Sequence, residues 1–160
     1  MPSQSAKESD PRQTILIDIE HQTLVLRNDA RVIAVYPVSS SRFGVGSEVG
    51  SFRTPTGRFR IFEKFGDGAI PWMIFKGRIP TGETARPGGE QDLVLSRILW
   101  LEGLEEENRN TRERYIYIHG TNQEDLIGTP ASHGCIRLKN HDMIDLYNRV
   151  ETGTEVRIRP

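Results

Sequence analysis

Short runs of Ile, Val, Leu and Thr, cut at regular intervals by turn residues, predict a mostly β domain. Composition agrees: 36% hydrophobic and 27% charged residues are too apolar for a disordered chain, while 15 Gly and 9 Pro are too loop-rich for a helical bundle. Only one stretch, near the C-terminus, carries helical spacing. A chain of 160 residues is expected to form one domain able to bury about 70% of its unfolded surface.

The elements follow in chain order. Residues 1–13 are polar with Pro2 and Pro11 and read as a flexible N-terminal tail, leaving 14–160 as the folded domain. Thr14–Ile19, Thr23–Arg27 and Arg31–Ser39 are separated by Glu20-His21-Gln22 and Asn28-Asp29-Ala30, which predicts a three-stranded antiparallel meander. From Ser39 to Gly57 four glycines and five serines lead into Thr54-Pro55-Thr56-Gly57, a long loop of the kind that often carries function. Arg58–Phe65, Ile70–Gly77 and Leu93–Leu101 resume β character, with Gly66-Asp67-Gly68 turning the first pair. The Gly/Pro/Thr-rich stretch 78–91 reads as a flap. Leu104–Arg114 is acidic and arginine-rich without a periodic apolar face and reads as a solvated insertion. Tyr115–Ile118 is a strand that delivers His119-Gly120 to a loop. Asn140 is placed as an N-cap, because Met143, Ile144, Leu146, Tyr147 and Val150 follow at helical spacing. Gly153 then caps the helix end and Thr154–Ile158 supplies a last strand.

The charge balance, 21 Lys and Arg against 22 Asp and Glu, argues against a nucleic-acid partner. The longest apolar run, Val32–Tyr36, is far short of the roughly 20 residues of a membrane-spanning helix. The first residues show no apolar core of a secretory leader, which predicts a cytoplasmic protein, or a periplasmic or extracytoplasmic one if a leader is missing. Cys135 is the single cysteine, so no disulfide forms within the chain and a free thiol needs a role.

Ile118-His119-Gly120-Thr121 and Ser132-His133-Gly134-Cys135-Ile136-Arg137 place two of the four histidines around that thiol. A thiol attacks as thiolate, and with a free pKa near about 8.5 it needs an imidazole or a positive field to become nucleophilic at neutral pH. His119, arriving from another strand, is a better-placed base than His133, whose i, i+2 relation to Cys135 seldom brings the groups together. Gly134 removes a side chain beside the nucleophile, so that a carbonyl can approach and amide N–H groups can converge on an oxyanion. Arg137 shares the parity of Cys135 and has either a substrate carboxylate, an oxyanion or a structural acid as its partner. Tyr115 and Tyr117 share the parity of His119 and read as pocket wall or core. Two other readings stay open: an inert core cysteine, and zinc held by His119, His133 and Cys135, although no companion ligand spacing supports the metal.

With the upstream Thr54-Pro55-Thr56-Gly57 and the closing Gly153-Thr154 strand, these two segments resemble the YkuD family of L,D-transpeptidases from about Thr14 to Ile158. The resemblance implies a two-sheet sandwich or barrel-like β body with one or two short helices. It makes Cys135 the acyl-accepting nucleophile and His119 its base, with the Gly120 carbonyl holding the imidazole tautomer. The N–H groups of His133, Gly134 and Cys135 would form the oxyanion hole, and Ser132, the His133 ring, Arg137 and Tyr117 would shape the substrate site. Many members carry Asn where Arg137 stands. No metal or other cofactor is implied.

By the same resemblance the substrate is a peptidoglycan stem tetrapeptide or muropeptide, cleaved between the diamino acid and terminal D-alanine through a thioester, and carbapenem-type inhibitors acylate the thiol. Water as acceptor gives a cytosolic L,D-carboxypeptidase of murein recycling, the expectation preferred here. An amine acceptor gives a transpeptidase forming 3-3 cross-links outside the cytoplasmic membrane. A non-catalytic peptidoglycan-binding or zinc module is the reading from another class.

Overall fold

The computed structural model describes residues 12–160. The expected tail therefore lies outside the described residues, apart from Arg12 and Gln13, and Gln13 already opens a strand. Ten strands and one α-helix follow in the order β1 (Gln13–Asp18), β2 (Thr23–Asn28), β3 (Arg31–Pro37), β4 (Gly57–Phe65), β5 (Met73–Lys76), β6 (Ile79–Thr84), β7 (Val94–Gly103), β8 (Tyr117–Gly120), β9 (Ile136–Leu138), α1 (Asn140–Arg149) and β10 (Glu155–Arg159). The mostly β expectation holds, with one α-helix among the described residues.

The meander forms as expected, with β2 antiparallel to both β1 and β3. Alternation sets its buried face: Ile15 lies opposite Leu26 and Ile17 opposite Leu24, and all four are buried. The strands share one hydrogen-bonded network in the order β3-β2-β1-β10-β4-β7-β5-β6, with β8 on β7 and β9 on β8. The sheet is not closed, since β3 and β6 end that path. β10 sits between β1, to which it is parallel, and β4, to which it is antiparallel. One core gathers Ile15, Ile17, Leu24, Leu26, Phe59 and Ile61 with Leu99, Ile118 and Ile136, and the Met143, Leu146 and Tyr147 stripe of α1 completes it. A second, smaller cluster holds Phe75, Ile98 and Tyr117, with Cys135 packed against it. The two clusters lie on opposite faces of β8, which places that strand between the core and the site.

Several expectations need correction. Gly66-Asp67-Gly68 does not close a hairpin, because β7 lies between β4 and β5. The presumed flap contains β6, an exposed strand paired with β5, so part of the stretch 78–91 is a hairpin arm. Leu104–Arg114 is not simply solvated: Asn108 and Thr111 are fully buried, and the Asn108 amide donates to Thr56 O and Arg58 O. Asn140 does not cap α1, whose N-cap is Lys139. Its side chain instead donates to Thr121 O and accepts from Ser96 Oγ. Gly153, with φ +94°, lies in the turn after the helix ends at Val150. The misreadings at Asn108 and Asn140 share one cause: their amides, suited to local capping, are bound instead by distant backbone carbonyls.

Candidate active site

β8 and β9 pair in parallel, with Ile118 opposite Ile136 and His119 opposite Arg137. Ile118, Ile136 and Leu138 enter the main core. Alternation leaves Tyr117, His119, Cys135 and Arg137 on the other face, as their parity predicts. Parallel pairing is what lets residues from two separate segments share that face.

His119 is buried, with Nδ1 2.6 Å from Gly120 O. That contact makes Nδ1 the N–H donor and leaves Nε2 as the basic nitrogen. Burial pushes the imidazole pKa down, against the opposing pull of Asp92 and the Gly120 carbonyl. The neutral ring is therefore the resting form at neutral pH. A Cβ on Gly120 would lie 2.5 Å from Asn140 Oδ1 and 2.8 Å from Leu95 O, so glycine is required by space here. Behind it, β7 shifts register between Leu95 and Ile98, where buried Ser96 takes φ +73°. Ser96 accepts the Trp72 N–H and donates to Asn140, which fixes this bulge against the histidine's backbone.

Cys135 is partly exposed. Its Sγ accepts the Tyr117 N–H at 3.3 Å and lies 3.5 Å from Tyr115 O, so the resting thiol is engaged with backbone at the start of β8 and just before it. Burial pushes the thiol pKa up to about 12, opposed by the Tyr117 N–H and by Arg137 and Arg114. The resting pair is thus neutral thiol and neutral imidazole. Gly134 has φ +128°, while the nearest atoms to a Cβ there are 3.5 Å away. Backbone conformation, not room, calls for glycine at this position.

The loop ahead of β9 is braced from within and from outside. Ser132 Oγ accepts the Gly134 N–H at 3.2 Å and donates to Cys135 O at 2.7 Å. Ser132 is fully buried and holds the loop rather than facing a ligand. From outside, Thr54 Oγ1 accepts the Ser41 N–H and donates to Gly134 O. Of the three amides expected to converge on an oxyanion, Gly134 N–H is therefore engaged. Those of His133 and Cys135 have no acceptor among the described residues.

The other expected ligand contacts are placed differently. Arg137 is fully buried, its guanidinium donating to Asp92, Gln123 and Ser39. The structural acid, one of the open alternatives, is its partner. Tyr117 is buried, with its hydroxyl accepting from Arg78 and its amide N–H donating to the sulfur. The His133 ring is half exposed, 3.5 Å from Asp92 through Nδ1. It packs against Phe43 and Phe52, each at 5.9 Å between centroids. Beside it opens a groove of about 390 Å³ lined by Val49, Phe52, Arg114, Tyr115, His133 and Cys135 among others.

The sequence profile of the YkuD family, described as the L,D-transpeptidase catalytic domain, matches residues 12–158. The chain belongs to the L,D-transpeptidase family. It is 49% identical over 146 residues to the L,D-transpeptidase YkuD of Bacillus licheniformis, covering 91% of this chain and 65% of that protein. With the YkuD protein of Bacillus subtilis it shares 31% over 144 residues, covering 90% of this chain and 64% of that one. The chain thus spans slightly under two thirds of these relatives. The fold resembles that of an L,D-transpeptidase from Mycobacterium smegmatis, with TM-score 0.63 and 21% identity over 94% of this chain and 59% of that one. It also resembles L,D-transpeptidase 3 from Mycobacterium tuberculosis in complex with a faropenem-derived adduct, with TM-score 0.61 and 20% identity over 94% and 61% of the two chains.

Among the described residues of this L,D-transpeptidase domain, no three His, Cys, Asp or Glu side chains are grouped to hold a metal ion. No described helix is long and apolar enough to cross a membrane. Sequence reading missed three site residues. Thr54 had a signal in its Thr-Pro-Thr-Gly turn, though not its bond to the Gly134 carbonyl. Asp92, bridging Arg137 and His133, lies in a stretch without periodicity and had none. Arg114 stood in a charge run, whose default reading hides a cation turned toward a groove.

Proposed function

We propose that this domain transfers the acyl group of a peptidoglycan stem tetrapeptide, with Cys135 as nucleophile and His119 as general base. The observation that carries the reading is a thiol at the lip of a groove, beside two uncommitted amides and on the same sheet face as an imidazole whose Nδ1 is already bound. Sγ leaves the Tyr115 carbonyl and attacks the carbonyl of the diamino acid–D-alanine bond while Nε2 of His119 takes the thiol proton. The His133 and Cys135 N–H groups hold the tetrahedral oxyanion. His119 returns the proton to the departing amine, D-alanine leaves and a thioester remains. Gly120, through its carbonyl, keeps the imidazole in the working tautomer.

Two acceptors complete the reaction. Water releases a tripeptide and makes the domain an L,D-carboxypeptidase, the fate that suits a cytoplasmic role in murein recycling. The amine of another stem makes a 3-3 cross-link, the fate that suits the exterior of the cytoplasmic membrane. We also extend to Cys135 the acylation by carbapenem-type drugs, on the strength of the imipenem complex and faropenem adduct of its structural relatives.

Incubation of the purified protein with free tetrapeptide, followed by intact-mass analysis, tests the proposal. Release of D-alanine with transient acyl mass on Cys135 is expected. Tripeptide as sole product identifies hydrolysis, and cross-linked dimer identifies transpeptidation. A folded protein that releases no D-alanine and takes no adduct from imipenem overturns the assignment in favour of a binding module.

A further inference from the structure

Arg114 is the cation of the Cys135 groove. Its position is built rather than incidental. The Arg114 amide donates to Asn110 O and Thr111 O, and the next two amides donate to Arg112 O and Thr111 O. The side chain then reaches back across the 46–53 loop, where Nη1 donates to Gly46 O at 3.3 Å and Nη2 to Arg53 O at 2.7 Å. Both partners are neutral carbonyls, and no carboxylate lies within ion-pair distance among the described residues. Arg137, the other cation near the sulfur, is neutralised by Asp92. A half-buried guanidinium held by two carbonyls, with Glu48 near but beyond ion-pair distance, has given up hydration without a direct acidic partner, and a guanidinium has more N–H donors than these two bonds use. Its charge is felt at Cys135 Sγ. Glu113, the acid lining the same groove, is exposed.

We infer that Arg114 is a specificity-determining residue that binds the free α-carboxylate of the substrate's leaving residue. This rests on the proposed acyl transfer, in which the departing residue is a C-terminal amino acid. Its carboxylate sits one carbon from the scissile nitrogen, so a group that recognises it must lie close to the nucleophile. A fork of N–H donors suits a carboxylate. Arg114 thereby selects for peptides that end at the residue being expelled, and against stems extended or amidated there.

The test compares two tetrapeptides, one ending in D-alanine and one in D-alaninamide, on wild-type protein, R114Q and R114K. Wild type should prefer the free acid by roughly tenfold to a hundredfold in kcat/KM, the range of a hydrogen bond to a charged group. R114Q should act on both alike, through a raised KM for the acid and little change for the amide. R114K should keep part of the preference. Rates of thiol alkylation, measured alongside, report Cys135 independently of the carboxylate. Wild type acting equally on acid and amide overturns the inference with no variant needed, which covers a variant that fails to fold. R114Q retaining the full preference overturns it too. Wild type acting on neither peptide instead overturns the acyl-transfer reading beneath it.

Discussion

Cys135 and His119 rest as a neutral pair, and that decides how the protein should respond to pH. Burial holds the thiol pKa far above that of free cysteine, while burial lowers that of His119. Deprotonation of sulfur must then accompany attack rather than precede it. The acylation rate should fall as acid protonates His119, at a pH below the usual imidazole value of about 6.5. It should show no loss on the alkaline side up to about pH 9. Thiolate absorbance titrating at or below neutrality would contradict this. The C135A variant should release no D-alanine yet unfold like wild type, and H119A should lose about 10²- to 10⁴-fold in acylation rate, both measured by single-turnover mass analysis. At this scale the sequence was informative where chemistry depends on residue type and parity: Cys135 and His119 share a sheet face and the Gly120 carbonyl meets the imidazole, whereas the Gly134 N–H is held by Ser132. It was silent on Asp92, because a carboxylate that meets Arg137 from 45 positions away along the chain leaves no local pattern.

At the scale of elements, the long loop between β3 and β4 works as a brace. Ser39 exchanges backbone bonds with Arg137, Ser41 bridges to Ser132, and Thr54 ties Ser41 to Gly134. Thr54→Val keeps the shape and removes the hydroxyl, leaving a buried N–H and a buried carbonyl unpaired. It should cost about 1–3 kcal/mol per group left unpaired, visible as a lower unfolding midpoint, and should reduce kcat more than it raises KM. Unchanged stability and turnover would show that the Gly134 carbonyl needs no anchor. The strands β1 to β3 were readable from alternation, since each has one face in the core. β6 was not, because an exposed hairpin arm has no buried face to impose a period. Nor was the role of Asn140, whose type suits a cap but whose amide is claimed by Thr121 and Ser96.

Across the whole molecule, the last strand joins what the sequence order keeps apart. At the edge of that joint Arg159 donates to Asp18, whose pKa is lowered to about 2 chiefly by this bond. A carboxylate with a depressed folded-state pKa stabilises the fold above its unfolded value of about 3.9, and that contribution fades as pH falls through about 2. Asp18→Asn should therefore unfold at lower urea concentration than wild type at pH 7, with the two curves converging near pH 2. A gap that persists undiminished in acid would assign the effect to packing. Alternation and composition made the β character legible, but the order of strands was not. Neighbours that touch across the sheet, β10 with β1 and β9 with β8, are paired by long-range contacts whose cost and reward no local window contains.

Because β10 lies between β1 and β4, assembly of the sheet has a late commitment point. The meander and the arm carrying the nucleophile both precede β10 in the sequence, yet no strand ladder links β1 to β4 until β10 is in place between them. A domain arranged this way cannot complete its sheet before β10 docks, so its reactive thiol becomes fully framed only in the last step of that assembly.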